Sequence, residues 1–557
     1  MAKKSRKSRS APRPEPAAGM AARLEPAGRS QPSAGSEPAE SAASKRAGSL
    51  LALAAAAVAA VLLAIRVAAP QPWDYDEYYH LGMARELRHH FPLRAFPWTP
   101  FSVLAHRFAD KEPLFHALLM PFAGLSIERA TLAGVLLGQV GFVLACAFFL
   151  RRLRVPAAPW FLLALTGLGP MFILRLEMCR PHVWMITFSI FLLALLFGRA
   201  RLVVLAVASA LFGLVHAGGW IGILYAAVWA AVSWRMGGGD DEAPRRPSAL
   251  AALAAVTVGY AAGQLLHPNF PANLSLLWTV NVGVPLHSLG AGSAALQRTL
   301  GTELRPLKLD ELARQWPAFL APALAAAALL RRPALRSREA VTLVLLALAF
   351  LGVACLALSR FFEVGAPLGL LSLALVAGEA ARRRQPLLPG GRLAAGLVLG
   401  IAALWTLGIV QTLGFGISYP DEMARWLGAN GAPGEVVFTA QWADSEPLFY
   451  YAPQLRSLVV LDPTFLYAQD PARFEDYARI AYGQSADPVG VIEARFQARW
   501  VTVWKVPAYR PLVQQFLKDR RAKIVFNDDY YQVWRLEPGN QSRVPLRAPA
   551  AVRTRTG

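Results

Sequence analysis

The chain has 557 residues, of which 55% are hydrophobic and 17% charged, and its formal net charge is +21. The apolar residues come in blocks of about 17–22, long enough to cross about 30 Å of hydrocarbon as helix, which excludes an ordinary soluble protein. Nucleic acid is excluded as a partner as well. The basic residues stand in short clusters between the apolar blocks (Arg151 to Arg154, Arg199 with Arg201, Arg235 to Arg246, Arg331 to Arg338, Arg382 to Arg384), the pattern of loops left in the cytoplasm.

Residues 1–47 hold almost no large apolar side chain, so burial cannot offset their ordering entropy and a disordered basic cytoplasmic tail is expected. The tail is too long for a cleaved signal peptide, and no clear small-x-small site follows it. The first span, Leu50–Ala69, then runs outward. Further spans are expected at 129–150, 157–174, 181–197, 202–217, 218–234, 248–266, 316–330, 340–358, 362–380 and 392–416. Their alternation leaves every arginine cluster inside. Pro113–Leu125 reads as a short helix lying at the outer surface, because a crossing there would put Arg151–Arg154 outside. Cys146, Cys179 and Cys355 show no paired spacing and point to neither a disulfide framework nor a zinc site.

Three segments fall outside: 70–128, 267–315 and 418–557. Within the last, Glu435–Ala440, Leu458–Leu461, Trp500–Trp504, Ala522–Phe526 and Tyr531–Leu536 read as strands. Pro420–Leu427, Pro471–Tyr482 and Ala508–Asp519 read as helices between them. The fold class is therefore a polytopic α-helical membrane protein with about eleven transmembrane helices in 48–417 and an extracytoplasmic α/β domain at 418–537. Residues 538–557 form a flexible tail.

The side chains able to do chemistry gather on the outer side. Asp74, Asp76 and Glu77 stand just past the first span, ahead of the helical run Leu81–His90. A carboxylate there can serve as general base or hold a divalent cation, and can equally favour the first turn of the following helix. Lys111 precedes Pro113, a helix start at the headgroup layer. Glu177 and Arg180 mark a helix boundary, where a snorkelling arginine is the plain alternative. Arg360 and Glu363 are one turn apart and can pair with each other. His267 opens a Pro- and Asn-rich turn. Gln441–Glu446 and Leu461–Phe465 follow expected strands, where α/β domains tend to bind ligands.

Asp76-Glu77-Tyr78-Tyr79, Lys111-Glu112-Pro113-Leu114-Phe115 and Arg360-Phe361-Phe362-Glu363-x-x-Ala366-Pro367 together resemble the GT-C class of membrane glycosyltransferases. The likeness is to the protein mannosyltransferase and aminoarabinose-transferase branch, and more distantly to oligosaccharyltransferase catalytic subunits. His80 occupies the family tyrosine's position, Glu112 replaces the first proline and Phe361 replaces a tyrosine.

The resemblance implies inverting transfer of a sugar from a polyprenyl-phosphate carrier to a lipid, glycan or protein acceptor at the outer face of the membrane. It casts Asp76 as base with Glu77 assisting, and Lys111, Arg180 and Arg360 as partners of the donor phosphate. Glu177 is the second acid, and Tyr79, His80, His267 and Glu363 contact substrate. A divalent cation (Mg or Mn) would sit at Asp76 and Glu177. An Ala/Arg/Leu-rich composition suggests a GC-rich bacterial genome, and so an undecaprenyl-type carrier and a bacterial inner membrane as the expected location. The competing functions are a flippase or transporter of a lipid-linked sugar and a non-catalytic assembly subunit. No internal repeat and no mid-span acid favours transport.

Overall fold

The computed structural model of the chain describes residues 37–237, 248–385, 391–412 and 419–537. Its helices follow the apolar blocks, and the first ten used below are α1 (Glu37–Ala68), α2 (Tyr75–Leu87), α3 (Pro113–Leu119), α4 (Ile127–Arg152), α5 (Ala158–Leu163), α6 (Pro170–Leu176), α7 (Pro181–Phe197), α8 (Leu202–Val215), α9 (Ile221–Arg235) and α10 (Ala249–Leu265). Apolar helices also cover Trp316–Arg331, Arg338–Leu356, Phe362–Arg382 and Gly391–Thr412. Five described helices are long and apolar enough to cross a bilayer: Arg46–Ala68, Ile127–Arg152, Ala217–Arg235, Arg338–Leu356 and Ser359–Arg382. Apolar side chains cover both faces. Val58, Phe142 and Ala347 are buried, while Leu53, Leu144, Trp234 and Leu356 stand exposed. Helices that are apolar all round belong in lipid, and the protein is a mostly helical, multi-pass membrane protein.

Two expectations in this part are corrected. The tail expected through residue 47 is already helical from Glu37, because Pro38 suits a first helical turn and Ala, Glu, Lys and Arg follow it. The single span expected at 157–174 is broken, with a 96° bend between Ala158–Gly167 and Pro170–Leu176. Gly169 takes φ +122, and a Cβ there would lie 2.4 Å from Gln315 Oε1. Pro170 then opens α6, and Gln315 Oε1 accepts from the Met171 N–H at 3.1 Å. Only glycine fits this corner.

The C-terminal part carries a four-stranded sheet of β1 (Val436–Thr439), β2 (Ala498–Trp504), β3 (Ala522–Asn527) and β4 (Tyr531–Leu536), in the order β1-β2-β4-β3. β1 and β2 are parallel, and the other neighbours antiparallel. Leu458–Leu461, expected as a strand, joins no ladder. Ser457 N–H donates to Trp98 O at 2.7 Å, Leu461 takes φ +66, and its N–H donates to Glu446 Oε1 at 2.9 Å. Partners in the segment between α1 and α4 and on a side chain replace the sheet. The helix Ser445–Tyr451 follows β1 without having been expected.

The described residues from Leu50 onward form one compact unit. One apolar core joins the segment between α1 and α4 to the C-terminal part through Tyr79, Phe96, Phe449, Val460 and Phe465. At Gly82 of α2 a Cβ would come 2.7 Å from the Phe449 ring, so the missing side chain lets α2 lie against Ser445–Tyr451.

Candidate active site

The chain leaves α1, passes Trp73 and starts α2 with Asp74 in extended backbone (φ -147, ψ 151). Asp76 and Glu77 occupy the first turn, where free N–H groups favour acids. Consecutive helical residues diverge by about 100°, so the two carboxylates meet different cations. Asp76 Oδ2 lies 2.5 Å from Arg180 Nη2. Glu77 Oε2 lies 3.6 Å from Arg66 Nη2, and its Oε1 accepts from the Trp73 N–H at 3.3 Å. Arg66, in the last turn of α1, and Glu77, in the first turn of α2, are both wholly buried.

Arg180 precedes Pro181, and the clash with a following proline pushes it to extended backbone (φ -130, ψ 152) at the mouth of α7. From there Nη1 reaches Asp74 at 2.5 Å and Glu303 at 3.5 Å. Arg175, in the last turn of α6, pairs with Glu303 at 2.6 Å and with Glu363. Arg360 acts on Glu303 from the short turn Ser359–Phe361 that leads into the Phe362–Arg382 helix, yet its side chain makes no hydrogen bond or ion pair among the described residues. Lys111 bears on Asp76 and on Asp462. The result is a largely buried side-chain cluster, called the chamber below, in which acids and bases alternate.

The chamber sets its carboxyls apart. Burial raises Asp76 to about 7 against the pull of Arg180, helped by the like charges of Asp74 and Glu303. At Glu303 burial is outweighed by Arg180, Arg175 and Arg360, which hold it well below the ordinary carboxylate range. Glu446, from the Ser445–Tyr451 helix, is pushed well above that range by burial and then by Asp76. The three carboxyls thus differ in how readily they ionise, Glu303 most and Glu446 least.

The predicted residues sort into groups. Asp76, Arg180, Glu363, Arg360 and Lys111 come together in or at the rim of the chamber. Glu363 pairs with Arg175 across the bundle rather than with Arg360 along its own helix. Glu77 and Glu177 belong to a second cluster around Arg66, where Glu177 is wholly buried beside Gln139. Burial raises Glu77 to about 7, ahead of the opposing pull of Arg66.

Tyr79, expected at the substrate, lies in the core between Phe96 and Phe449 with 1% exposure, so it packs rather than binds. His267, expected as a substrate contact, spends both ring nitrogens on backbone. Its Nδ1 accepts from the Asn269 N–H at 3.0 Å and its Nε2 donates to Asp110 O at 2.9 Å. Burial holds it below the ordinary histidine range, in keeping with that neutral tautomer. His80 is buried against His116.

Asp76 and Glu177 were expected to share a cation, and they do not meet. Asp76 faces Arg180, and Glu177 faces Arg66 and Glu77. The oxygens of Asp74, Asp76 and Glu303 converge on guanidinium groups, so the chamber does not fit a resident Mg or Mn ion, which would want those oxygens for itself. Among the described residues His80, Glu112 and His116 alone bring three metal-capable side chains together.

Sequence reasoning missed Arg66, Glu303 and the inward turn of Glu446. An acid in the long outer segment 267–315, among few others, was the available signal for Glu303.

No family model and no curated protein sequence matches the chain. Its fold, however, matches solved structures. The archaeal oligosaccharyltransferase AglB from Archaeoglobus fulgidus, in complex with an inhibitory peptide and a dolichol-phosphate, aligns with a TM-score of 0.54 at 14% identity, over 81% of this chain and 69% of that one. The same archaeal enzyme in its apo form gives a TM-score of 0.54. The arabinofuranosyltransferase AftD from Mycobacteria aligns with a TM-score of 0.50 at 14% identity, over 87% of this chain and 40% of that one. This chain therefore spans about two fifths of the length of AftD. At such identities the likeness is one of fold, which the chain shares with the archaeal oligosaccharyltransferase and the mycobacterial arabinofuranosyltransferase.

Proposed function

We propose that the chain is an inverting glycosyltransferase that moves a sugar from a polyprenyl-phosphate carrier to an acceptor (lipid, glycan or protein) at the outer face of a bacterial inner membrane. The observation that carries this reading is Asp76, poised near neutral pKa 2.5 Å from Arg180. Asp76 takes the proton of the acceptor hydroxyl as its oxygen attacks the anomeric carbon. The bond from that carbon to the phosphate oxygen breaks, and its electron pair leaves with the lipid phosphate. A single displacement of this kind inverts the anomeric centre. Arg360, which has no ion pair of its own among the described residues, receives the departing phosphate together with Lys111 and Arg180. A planar guanidinium suits phosphate oxygens two at a time. Glu303 stays charged and holds Arg175 and Arg180 in place.

An apolar groove of about 690 Å³ between α4, α7 and α8 supports a carrier with a long hydrocarbon chain. Its lining starts at Trp184, one turn along α7 from Arg180, so a lipid tail there leaves its phosphate beside the chamber. The arginine clusters between spans support an inner N-terminus and an outer chamber.

The test is to incubate the full-length chain, purified in detergent, with a panel of labelled polyprenyl-phosphate sugars and to follow release of the lipid phosphate. Release by the wild type, lowered about 100- to 10,000-fold in Asp76→Asn at equal folded protein, is the expected outcome. Undiminished release by the variant would move the base elsewhere, and no release from any donor by a folded wild type would count against the activity.

A further inference from the structure

One turn beyond Asp76 on α2, His80 meets the start of α3. Pro113 begins that helix, Glu112 is its N-cap residue, and His116 follows Glu112 by one turn on the same face. The two imidazoles are buried, and His80 Nδ1 lies 2.8 Å from His116 Nε2. His116 Nδ1 donates to the Asp110 carboxylate at 2.7 and 2.8 Å, which leaves its Nε2 as a lone pair turned toward His80. Glu112 is 1% exposed. Its Oε1 lies 3.5 Å from Lys111 Nζ, and its Oε2 is buried without a hydrogen-bond partner. One ligand atom each from His80, Glu112 and His116 lies within 4.8 Å of the other two.

We propose that His80, Glu112 and His116 form a binding site for a first-row transition cation of the zinc class, separate from the Asp76–Arg180 chamber. Two imidazoles and a carboxylate are a three-ligand set that zinc takes in tetrahedral geometry with one position open. Mg and Ca prefer oxygen-only shells, which this set does not offer. At a metal–nitrogen distance of about 2.0–2.1 Å, tetrahedral ligands stand about 3.3 Å apart, so the imidazoles part by about half an ångström on binding. Asp110 supplies the outer partner that orients a ligating histidine and raises its basicity. The rings of Tyr79 and Phe115 pack edge-on against His80 and keep the site dry.

The cation ties α2 to α3, and so sets Asp76 relative to Lys111. It also takes up the charge of Glu112, which Lys111 otherwise faces, and leaves the Lys111 ammonium for an anion.

The test uses the full-length chain carrying an affinity tag without histidine, equilibrated with zinc buffered by a competing chelator. Elemental analysis is expected to find one zinc per chain, retained in Asp76→Asn and lost in Glu112→Gln and His116→Ala. Asp110→Asn should weaken binding about 10- to 100-fold, the usual effect of losing an outer-shell partner. Should a ligand variant fail to fold, the wild type loaded with cobalt decides the matter. Visible absorption of four-coordinate cobalt supports the site, and its absence overturns it. No stoichiometric zinc in the folded wild type, or zinc unchanged when His80 or His116 is replaced, would leave Asp110, His116 and His80 as a metal-free hydrogen-bonded relay and sink the proposal.

Discussion

Asp76 and Glu77 are neighbours in sequence, both raised to about 7, yet they have different physical settings. Asp76 sits among mixed charges from several segments, whereas Glu77 is closed in by Arg66. In the proposed reaction only Asp76 has to lose its proton for turnover. kcat/KM should therefore rise about tenfold per pH unit below about pH 7 and level above it, since this ratio reports the ionisation of the free enzyme. Asp74→Asn removes a like charge and leaves Arg180 freer to pair with Asp76, so the midpoint should move down. A profile that stays flat across about pH 5–8 would remove Asp76 as the base. Glu77 works on stability instead. An acid raised in the folded state favours folding most below its unfolded value of 4.5, and that contribution fades as pH rises to about 7.

At the scale of elements, the corner at Gly169 does most to assemble the chamber, because α6 carries Arg175 and leads into Arg180. Gly169→Ala would need a backbone conformation that side chains avoid and would drive a Cβ into Gln315. Backbone strain of this kind costs about 1–3 kcal/mol. The variant should unfold at lower temperature in detergent, and it should lose turnover if the bend must relax to admit the Cβ. An unchanged melting temperature would show that the corner tolerates a side chain. The short helix Ser445–Tyr451 is the other element on which the site depends. Gly82 allows its close approach to α2, and Glu446 then reaches the chamber from a part of the chain that follows all the spans.

For the molecule as a whole, the segments between the apolar helices and the C-terminal part share their packing and their polar contacts. Tyr78 donates to Asp421 at 2.5 Å, Tyr75 and Tyr531 hydroxyls lie 3.1 Å apart, and Trp442 donates to Thr299 O at 3.1 Å. Residues 419–537 expressed alone would expose Phe449 and Phe465, which are buried against the segment between α1 and α4 in the full chain. The fragment should melt below the same segment in the intact protein, or aggregate. A fragment as stable as the full chain would establish 418–537 as an independent domain. Topology has its own test. A reporter fused after Gln385 should be cytoplasmic and one after Asn540 external, and both reporting from one side would overturn the alternation inferred from the arginine clusters.

The sequence by itself determined that the chain lives in a membrane and where most of its apolar helices lie, and it pointed to Asp76, Lys111, Arg180 and Arg360 as one group. Those properties are local. Hydrophobic blocks, prolines at helix starts and arginine clusters act through the residues beside them, so a single chain displays them directly. The strands β1, β2, β3 and β4 were legible for the same reason, as short apolar or alternating runs. The tertiary structure alone decided which acid meets which base. Glu303 and Glu446 join the chamber from segments far along the chain, and Glu77 turns away from it although it adjoins Asp76. It also decided that Tyr79 packs, that His267 is used up by backbone, and that Leu458–Leu461 finds its partners outside the sheet. Such outcomes depend on distances between elements and on desolvation, and both arise only once the helices have packed.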